Sequence, residues 1–238
     1  MSYDSRDTTI VYYSSSVAPT RMRDLCLEQL FKVTAGLPII TVTQQPMAVE
    51  GQTNICVGPI GISFYNCYKQ ILIGAKAAQT DIICCAEDDT LYPPSHFDRR
   101  FVIRPSMFNY NINRWHLEGP CTATSGKSYP AQFRWRHRTT MATCVCWRDD
   151  LIKTLEERFA RVPEGGDERS WGEPGRFEKI LGITRVNQTY FMTPREMVVQ
   201  TNWGGLGGVR KPNPPVDTFA LELPGWGRAD ALWERVHG

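Results

Sequence analysis

The chain has 238 residues, 42% of them hydrophobic and 22% charged, with 27 basic and 25 acidic side chains for a formal net charge of +2. That balance excludes an intrinsically disordered or fibrous chain, and the length suits one substantial α/β domain. The start, MSYDSRDTT, lacks the basic-then-apolar layout of a signal peptide, and no apolar run approaches the roughly 18 residues that a spanning helix needs, so a soluble, cytoplasmic protein is the expectation. The eight cysteines form no C-x-x-C pair and sit largely in apolar runs such as IICCA (82–86) and ATCVCW (142–147). They read as reduced core thiols.

TTIVYYSSS (8–16) is β-branched and aromatic and ends in serines, a buried strand running into a polar loop. Thr20 is positioned to cap a helix over 21–35, which Gly36 and Pro38 stop. PIITVTQQP (38–46) predicts a second strand, 51–61 a loop, 63–79 a second helix and DIICCAEDD (81–89) a third strand that ends in three acids. Strand and helix alternate here, which predicts a parallel sheet whose ligands lie at the carboxyl ends of its strands. Beyond residue 90 the pattern is less regular. Strands are expected near 101–104, 107–117, 131–137 and 140–147, helices over 149–160 and 177–182, two further strands after 187, and a Gly/Pro-rich loop over 202–215. The organisation expected is a ligand-binding half (1–90), a second half (91–200) and a C-terminal loop or tail (201–238).

Glu87, Asp88 and Asp89 follow the most apolar stretch of the chain. Clustered carboxylates repel, and a hard cation such as Mg²⁺ or Mn²⁺ relieves the repulsion by taking one or two of them together with substrate phosphates. A solvated turn before Tyr92-Pro93-Pro94 is the alternative.

TTIVYYSSS, PIITVTQQP, the helix carrying Asn66, the strand-terminal EDD, TCVCWRDDLIKTL and WGEPGRFEKIL follow the order of landmarks in GT-A-fold glycosyltransferases, and the chain looks most like the family 2 type over about residues 8–182. The resemblance implies a mixed, mainly parallel sheet flanked by helices and a nucleotide-sugar donor, with a UDP-sugar favoured. It implies Asp89 and Glu87 as metal ligands and Asp88 near the sugar or the metal. Ser14, Ser15 and Ser16 would face the base or ribose, Asn66 would lie on the donor side, and Arg21 would reach the diphosphate. Similar inverting enzymes take the acceptor proton on the Glu of an E-D pair. Here the matching position is Glu173, but Pro174 replaces the Asp, so Asp167, Glu168 and Glu178 stay open as bases, as does a retaining outcome. The tail carries Trp203, Arg210 and Lys211, suited to closing on phosphate, and offers Gln200 and Asn202 rather than a His as further metal ligands.

Between residues 99 and 138 eight basic side chains face one acid, Glu118, with seven aromatics interleaved. In FRWRHR (133–138), strand geometry places Arg134 and Arg136 on one face and Trp135 on the other. Cations with aromatics suit a nucleic acid, so a hydroxymethylated pyrimidine in DNA is one expected acceptor and a saccharide, lipid-linked or protein acceptor another. In the bland alternative the arginines pair with the chain's own acids or hold the donor diphosphate. A nucleic-acid-binding module without catalysis is the non-enzyme alternative. A nucleotidyltransferase would require a Gly-rich phosphate loop after the first strand, where this chain has YYSSSVAPTR.

Overall fold

The computed structural model describes residues 7–34, 36–49, 51–97, 103–122, 126, 128–136, 138–166, 171–201 and 218–238. The first half alternates β1 (Thr8–Ser14), α1 (Thr20–Val33), β2 (Ile39–Thr43), β3 (Thr53–Cys56), α2 (Phe64–Ala77) and β4 (Ile82–Glu87). There follow β5 (Thr90–Leu91), β6 (Met107–Asn111), β7 (Arg114–Glu118), the exposed hairpin β8 (Cys121–Thr122) and β9 (Ser128–Tyr129), β10 (Gln132–Trp135), β11 (Cys144–Trp147) and α3 (Arg148–Arg161). The chain ends in β12 (Asn187–Phe191), β13 (Val198–Thr201), β14 (Phe219–Ala220), β15 (Glu222–Leu223), β16 (Gly227–Arg228) and α4 (Ala229–His237).

Seven strands form one sheet in the order β12-β6-β11-β4-β1-β2-β3. All pairings are parallel except those of β11, which runs against β4 and β6. This is the mixed, mainly parallel sheet flanked by helices expected from the sequence. Alternation along β1 sends Val11 and Tyr13 into the layer under α2 and α3, and Ile10 and Tyr12 into the layer with Leu30 of α1. Gly74 lets α2 close on the sheet, since a Cβ there would stand 2.4 Å from Val11 Cγ1.

A second sheet, β14-β10-β7-β13-β5, stands beyond the carboxyl end of β4. One of its faces, with Phe133, Leu117, Val199 and Leu91, packs with Met22 and Cys26 of α1 and with Leu232 and Val236 of α4. The other face carries Arg134, His116 and Gln200, aligned by the pairings Arg134↔His116 and His116↔Gln200, and Gln200 pairs in turn with Thr90, next to Asp89.

Several elements differ from expectation. Thr20 opens α1 without capping it, the N-cap being Pro19. The expected loop 51–61 contains β3, an edge strand whose Asn54 Nδ2 donates to the Thr41 and Thr43 hydroxyls at 2.8 and 3.0 Å. The single strand expected over 107–117 is two strands in two sheets. Asn111 Oδ1 accepts from the Asn113 backbone N–H at 3.0 Å and Asn113 Nδ2 donates to Thr193 O at 2.9 Å, fixing the break. Residues 103 and 104 are irregular, and 140–143 lead into β11 through a 3₁₀ turn. The tail is not all loop: α4 is anchored by buried Ala229, Leu232 and Val236. The eight cysteines are unbridged, and five of them are buried. Among the described residues no helix is long and apolar enough to cross a membrane.

Candidate active site

The site forms where β1 and β4 leave the sheet. Gln70 of α2, buried at 2% exposure, donates from Nε2 to Ser14 O and Val42 O, both at 2.8 Å, and so holds the ends of β1 and β2. On the other side the Asp89 carbonyl accepts from the Thr201 backbone N–H at 2.7 Å and the Thr201 hydroxyl at 2.9 Å, tying the acidic turn to β13. Tyr92 donates to Ala142 O at 2.9 Å and accepts from the Glu87 N–H at 3.0 Å.

Within this frame the three acids point two ways. Asp88 accepts from the Ser14 hydroxyl, which in turn accepts from the Ser16 N–H at 2.9 Å. Glu87 accepts from the Tyr13 hydroxyl through Oε1, while its Oε2 stands 3.3 Å from Gln200 Nε2. The same Nε2 reaches Asp89 Oδ1 at 3.2 Å and Oδ2 at 3.3 Å. Glu87 and Asp89 therefore converge on one point, filled by a neutral amide, and Asp88 is turned away from it.

Behind Gln200 lies Arg114, buried at 5% exposure. Its Nη1 donates to Gln200 Oε1 and lies 2.6 Å from His116 Nε2. Burial pulls the Arg114 guanidinium down to about 10 against the upward pull of Glu87 and Asp89. Burial and the neighbouring arginines hold His116 neutral, down to about 2. Burial lifts Glu87 to about 7, with the Tyr13 hydrogen bond opposing and Asp88 reinforcing. It also raises Asp88, and Asp89 well above the usual carboxylate range with the help of Glu87 and Asp88. This pair is short of positive charge.

Glu173 lines a cavity of about 990 Å³ together with Ile112, Arg138, Arg176, Lys179 and Tyr190. Burial raises its carboxyl, and its charge is felt by both Glu87 and Arg114. The 172–178 loop is locked: Tyr110 donates to Pro174 O at 2.9 Å, Arg158 to Gly172 O at 2.6 Å, and Arg158 is ion-paired with Glu178, both side chains fully buried. Glu178 is thereby removed as a candidate base. Asp167, Glu168, Asn202, Trp203, Arg210 and Lys211 lie outside the described residues.

Other expected site residues are placed differently. Arg21 is exposed and donates to Arg235 O at 3.1 Å and Glu234 O at 3.5 Å, at the end of α4. The cation at the loop after β1 is Arg23, two residues on, whose Nη1 donates to Ser16 O at 2.9 Å and whose charge draws Asp88 down. Ser16 adopts a left-handed backbone (φ 62°), its hydroxyl accepts from the Gln45 N–H at 3.2 Å, and Ser15 is half-buried. Asn66 pins its own loop, donating to Ile60 O at 2.5 Å. Arg134 shares the cationic face as strand spacing predicts, yet it is 2% exposed and paired with Glu118 at 3.0 Å, because that face turns inward. Trp135 is half-buried and donates to Ile112 O at 3.4 Å, and the half-buried Arg136 lies close enough to Arg114 to depress it. Of the cations expected on the acceptor face, Arg134 is thus spent inside the molecule, as the bland alternative has it, while Arg138 is exposed.

Among the described residues no group of three or more His, Cys, Asp or Glu side chains is placed to hold a metal. The Glu87–Asp89 pair fits the smaller requirement of a hard cation that takes two carboxylates and leaves its other positions to phosphate and water.

Fold and site together define a mixed α/β protein with a charge-deficient acidic centre at the carboxyl ends of its parallel strands. No family model and no curated protein matches the chain. Among solved structures it is similar to a glycosyltransferase involved in the glycosylation of the major capsid of PBCV-1, at 11% identity and TM-score 0.43 over 81% of this chain and 92% of that one. It is similar also to the inositol-1-phosphate CTP transferase from T. maritima, at 12% identity and TM-score 0.44 over 83% of this chain and 89% of that one. Likeness at this level assigns no activity.

Proposed function

We propose that the chain is a metal-dependent glycosyltransferase that moves a sugar from a nucleotide-sugar donor, a UDP-sugar by family resemblance, to an acceptor hydroxyl with inversion. The observation that carries the reading is the convergence of Glu87 and Asp89 on Gln200 Nε2 at the end of β4. Mn²⁺ or Mg²⁺, held by these two carboxylates, would supply countercharge to the departing nucleoside diphosphate. Arg114 and Gln200 set the position of the two acids. Arg23, at the loop after β1, is better placed for the donor's phosphates than Arg21, and Ser15 is the serine of that loop with its hydroxyl left for a base or ribose. Asp88, tied to Ser14, orders the loop.

Glu173 is the base in this scheme. Burial raises its proton affinity, which suits a group that must accept a proton near neutrality. The acceptor oxygen forms a bond to the anomeric carbon as the bond from that carbon to the diphosphate breaks. The hydroxyl proton passes to Glu173.

The test is donor turnover followed as release of nucleoside diphosphate from UDP-sugars with Mn²⁺. Glu173→Gln should lower acceptor-dependent release at least a hundredfold while leaving donor binding intact. Undiminished turnover in this variant removes Glu173 from the mechanism, and undiminished turnover in Asp89→Ala removes the acidic centre.

A further inference from the structure

The cavity at Glu173 gathers three cations from two segments of the chain. Elsewhere on the described surface some cations are matched with acids, Lys76 with Glu156, Arg185 with Glu157, Arg228 with Asp230 and Arg148 with Asp149, and others, such as Arg21, meet no described acid. Arg138, Arg176 and Lys179 are all exposed, line one cavity and form no ion pair with a described residue. Glu173 is the single carboxylate among the described lining side chains. Three cations from two separate segments, 138–139 and 173–179, around a base candidate make a basin that favours an anion over a neutral sugar.

The cavity also offers a flat apolar surface. Tyr190, on the edge strand β12, is 55% exposed and is oriented by its hydroxyl, 3.2 Å from Gln188 Oε1. Thr139, Asn187 and Gln188 add uncharged hydrogen-bonding groups. Cations beside an exposed ring are the chemistry of a phosphate linked to a stacking base.

We infer that this cavity takes a phosphate-bearing acceptor of nucleotide type, with the phosphate among Arg138, Arg176 and Lys179 and a base against Tyr190. The inference rests on the proposed transfer reaction for the word acceptor but not for the binding. It moves the anion-binding surface from the strand carrying Arg134, which is paired internally, to the loops around Glu173.

The test is a titration of fluorescein-labelled single-stranded DNA of about ten nucleotides into the full chain, in EDTA and without donor. Arg176→Glu combined with Lys179→Glu should weaken binding at least tenfold and flatten the dependence on log salt by one to two units. Tyr190→Ala should weaken it about tenfold at constant salt slope. Arg138→Gln, on the other segment, gives the same direction if the double variant melts early. A pyrimidine mononucleotide run as competitor separates the sources: displacement only at far higher concentration than the DNA points to a polynucleotide acceptor, and comparable potency to a free nucleotide. Unchanged DNA affinity in the double variant and in Arg138→Gln overturns the inference, as does binding lost equally in variants distant from the cavity. Because donor and cation are absent, such failure leaves the donor site standing. Loss of donor binding in Asp89→Ala with DNA binding intact would do the reverse.

Discussion

Gln200 donates to both carboxylate oxygens of Asp89, at 3.2 and 3.3 Å, while its own amide oxygen accepts from the buried Arg114. The amide thus relays a cation's polarisation to a carboxylate in the turn between β4 and β5, and it does the same for Glu87 at 3.3 Å. Gln200→Ala should destabilise the metal-free protein by about 1–3 kcal/mol, the cost of leaving buried polar groups unmet. Gln200→Glu should be the more damaging in EDTA, because it adds a third acid to a pair already short of positive charge. Mn²⁺ should recover more stability in Gln200→Glu than in the wild type. Urea unfolding at pH 7.5, with EDTA and with Mn²⁺, measures both.

Glu87 has a native pKa of about 7 against an ordinary 4.5, so between those values the folded state holds the proton more tightly than the unfolded chain. Stability therefore falls as pH rises through this window and levels off above about 7. Asp88 and Asp89 shift in the same direction and steepen the trend. Glu87→Gln should flatten the profile, with a difference of about 1–3 kcal/mol between pH 4.5 and pH 8. Denaturant midpoints measured in EDTA across that range decide it; a wild-type profile that rises over the same interval would contradict the assignment.

Arg158 and Glu178 are both fully buried and paired, and the Glu178 Oε2 atom also accepts from the Gly175 N–H at 2.5 Å. Removing one partner leaves the other charge uncompensated. Glu178→Ala should cost about 3–5 kcal/mol, with turnover falling along with the order of the loop that carries Glu173. Calorimetry reads the first effect. A variant as stable as the wild type would sink the idea that this pair anchors the loop.

Gly175 sits at φ +87°, and a Cβ there would stand 2.5 Å from the Asn187 carbonyl. Gly175→Ala should destabilise by about 1–3 kcal/mol and lower turnover by displacing Glu173. Gly126, also at positive φ but with nothing within 4 Å, should tolerate Ala with a smaller loss, the strain of the backbone alone.

Much of the first half was legible because its signals are local. Buried parallel strands read as apolar runs, and TTIVYYS and IICCAE lie within 8–14 and 82–87 as the pattern predicts. The acids were legible too, since three carboxylates after such a run stand out. Their division was not: that Asp88 turns to Ser14 depends on a segment 74 residues away, and that Glu87 and Asp89 turn to Gln200 on a strand 113 and 111 residues away. Arg114 reads in sequence as one of many basic residues, and only the register between β7 and β13 makes it the partner of Gln200. Alternation placed Arg134 on the face shared with His116 and Gln200, yet alternation cannot say whether a face opens on solvent or on Glu118. The helix α4 carries its own pattern in Ala229, Leu232 and Val236, obscured by the Gly/Pro-rich run before it.

The central claim is that Glu87 and Asp89 hold a cation that in turn holds a nucleotide-sugar. Thermal unfolding of the wild type and Asp89→Ala, each with UDP-sugars in EDTA and in Mn²⁺, tests it most directly, because a ligand of the native state stabilises in proportion to its occupancy. A donor at about one hundred times its Kd should add roughly 2.7 kcal/mol, a Tm rise of about 5–10 °C for a chain of this size. The account predicts that rise in the wild type with Mn²⁺, little in EDTA, and none in Asp89→Ala. No rise with any UDP-sugar in folded wild-type protein, or an equal rise in Asp89→Ala, would contradict it.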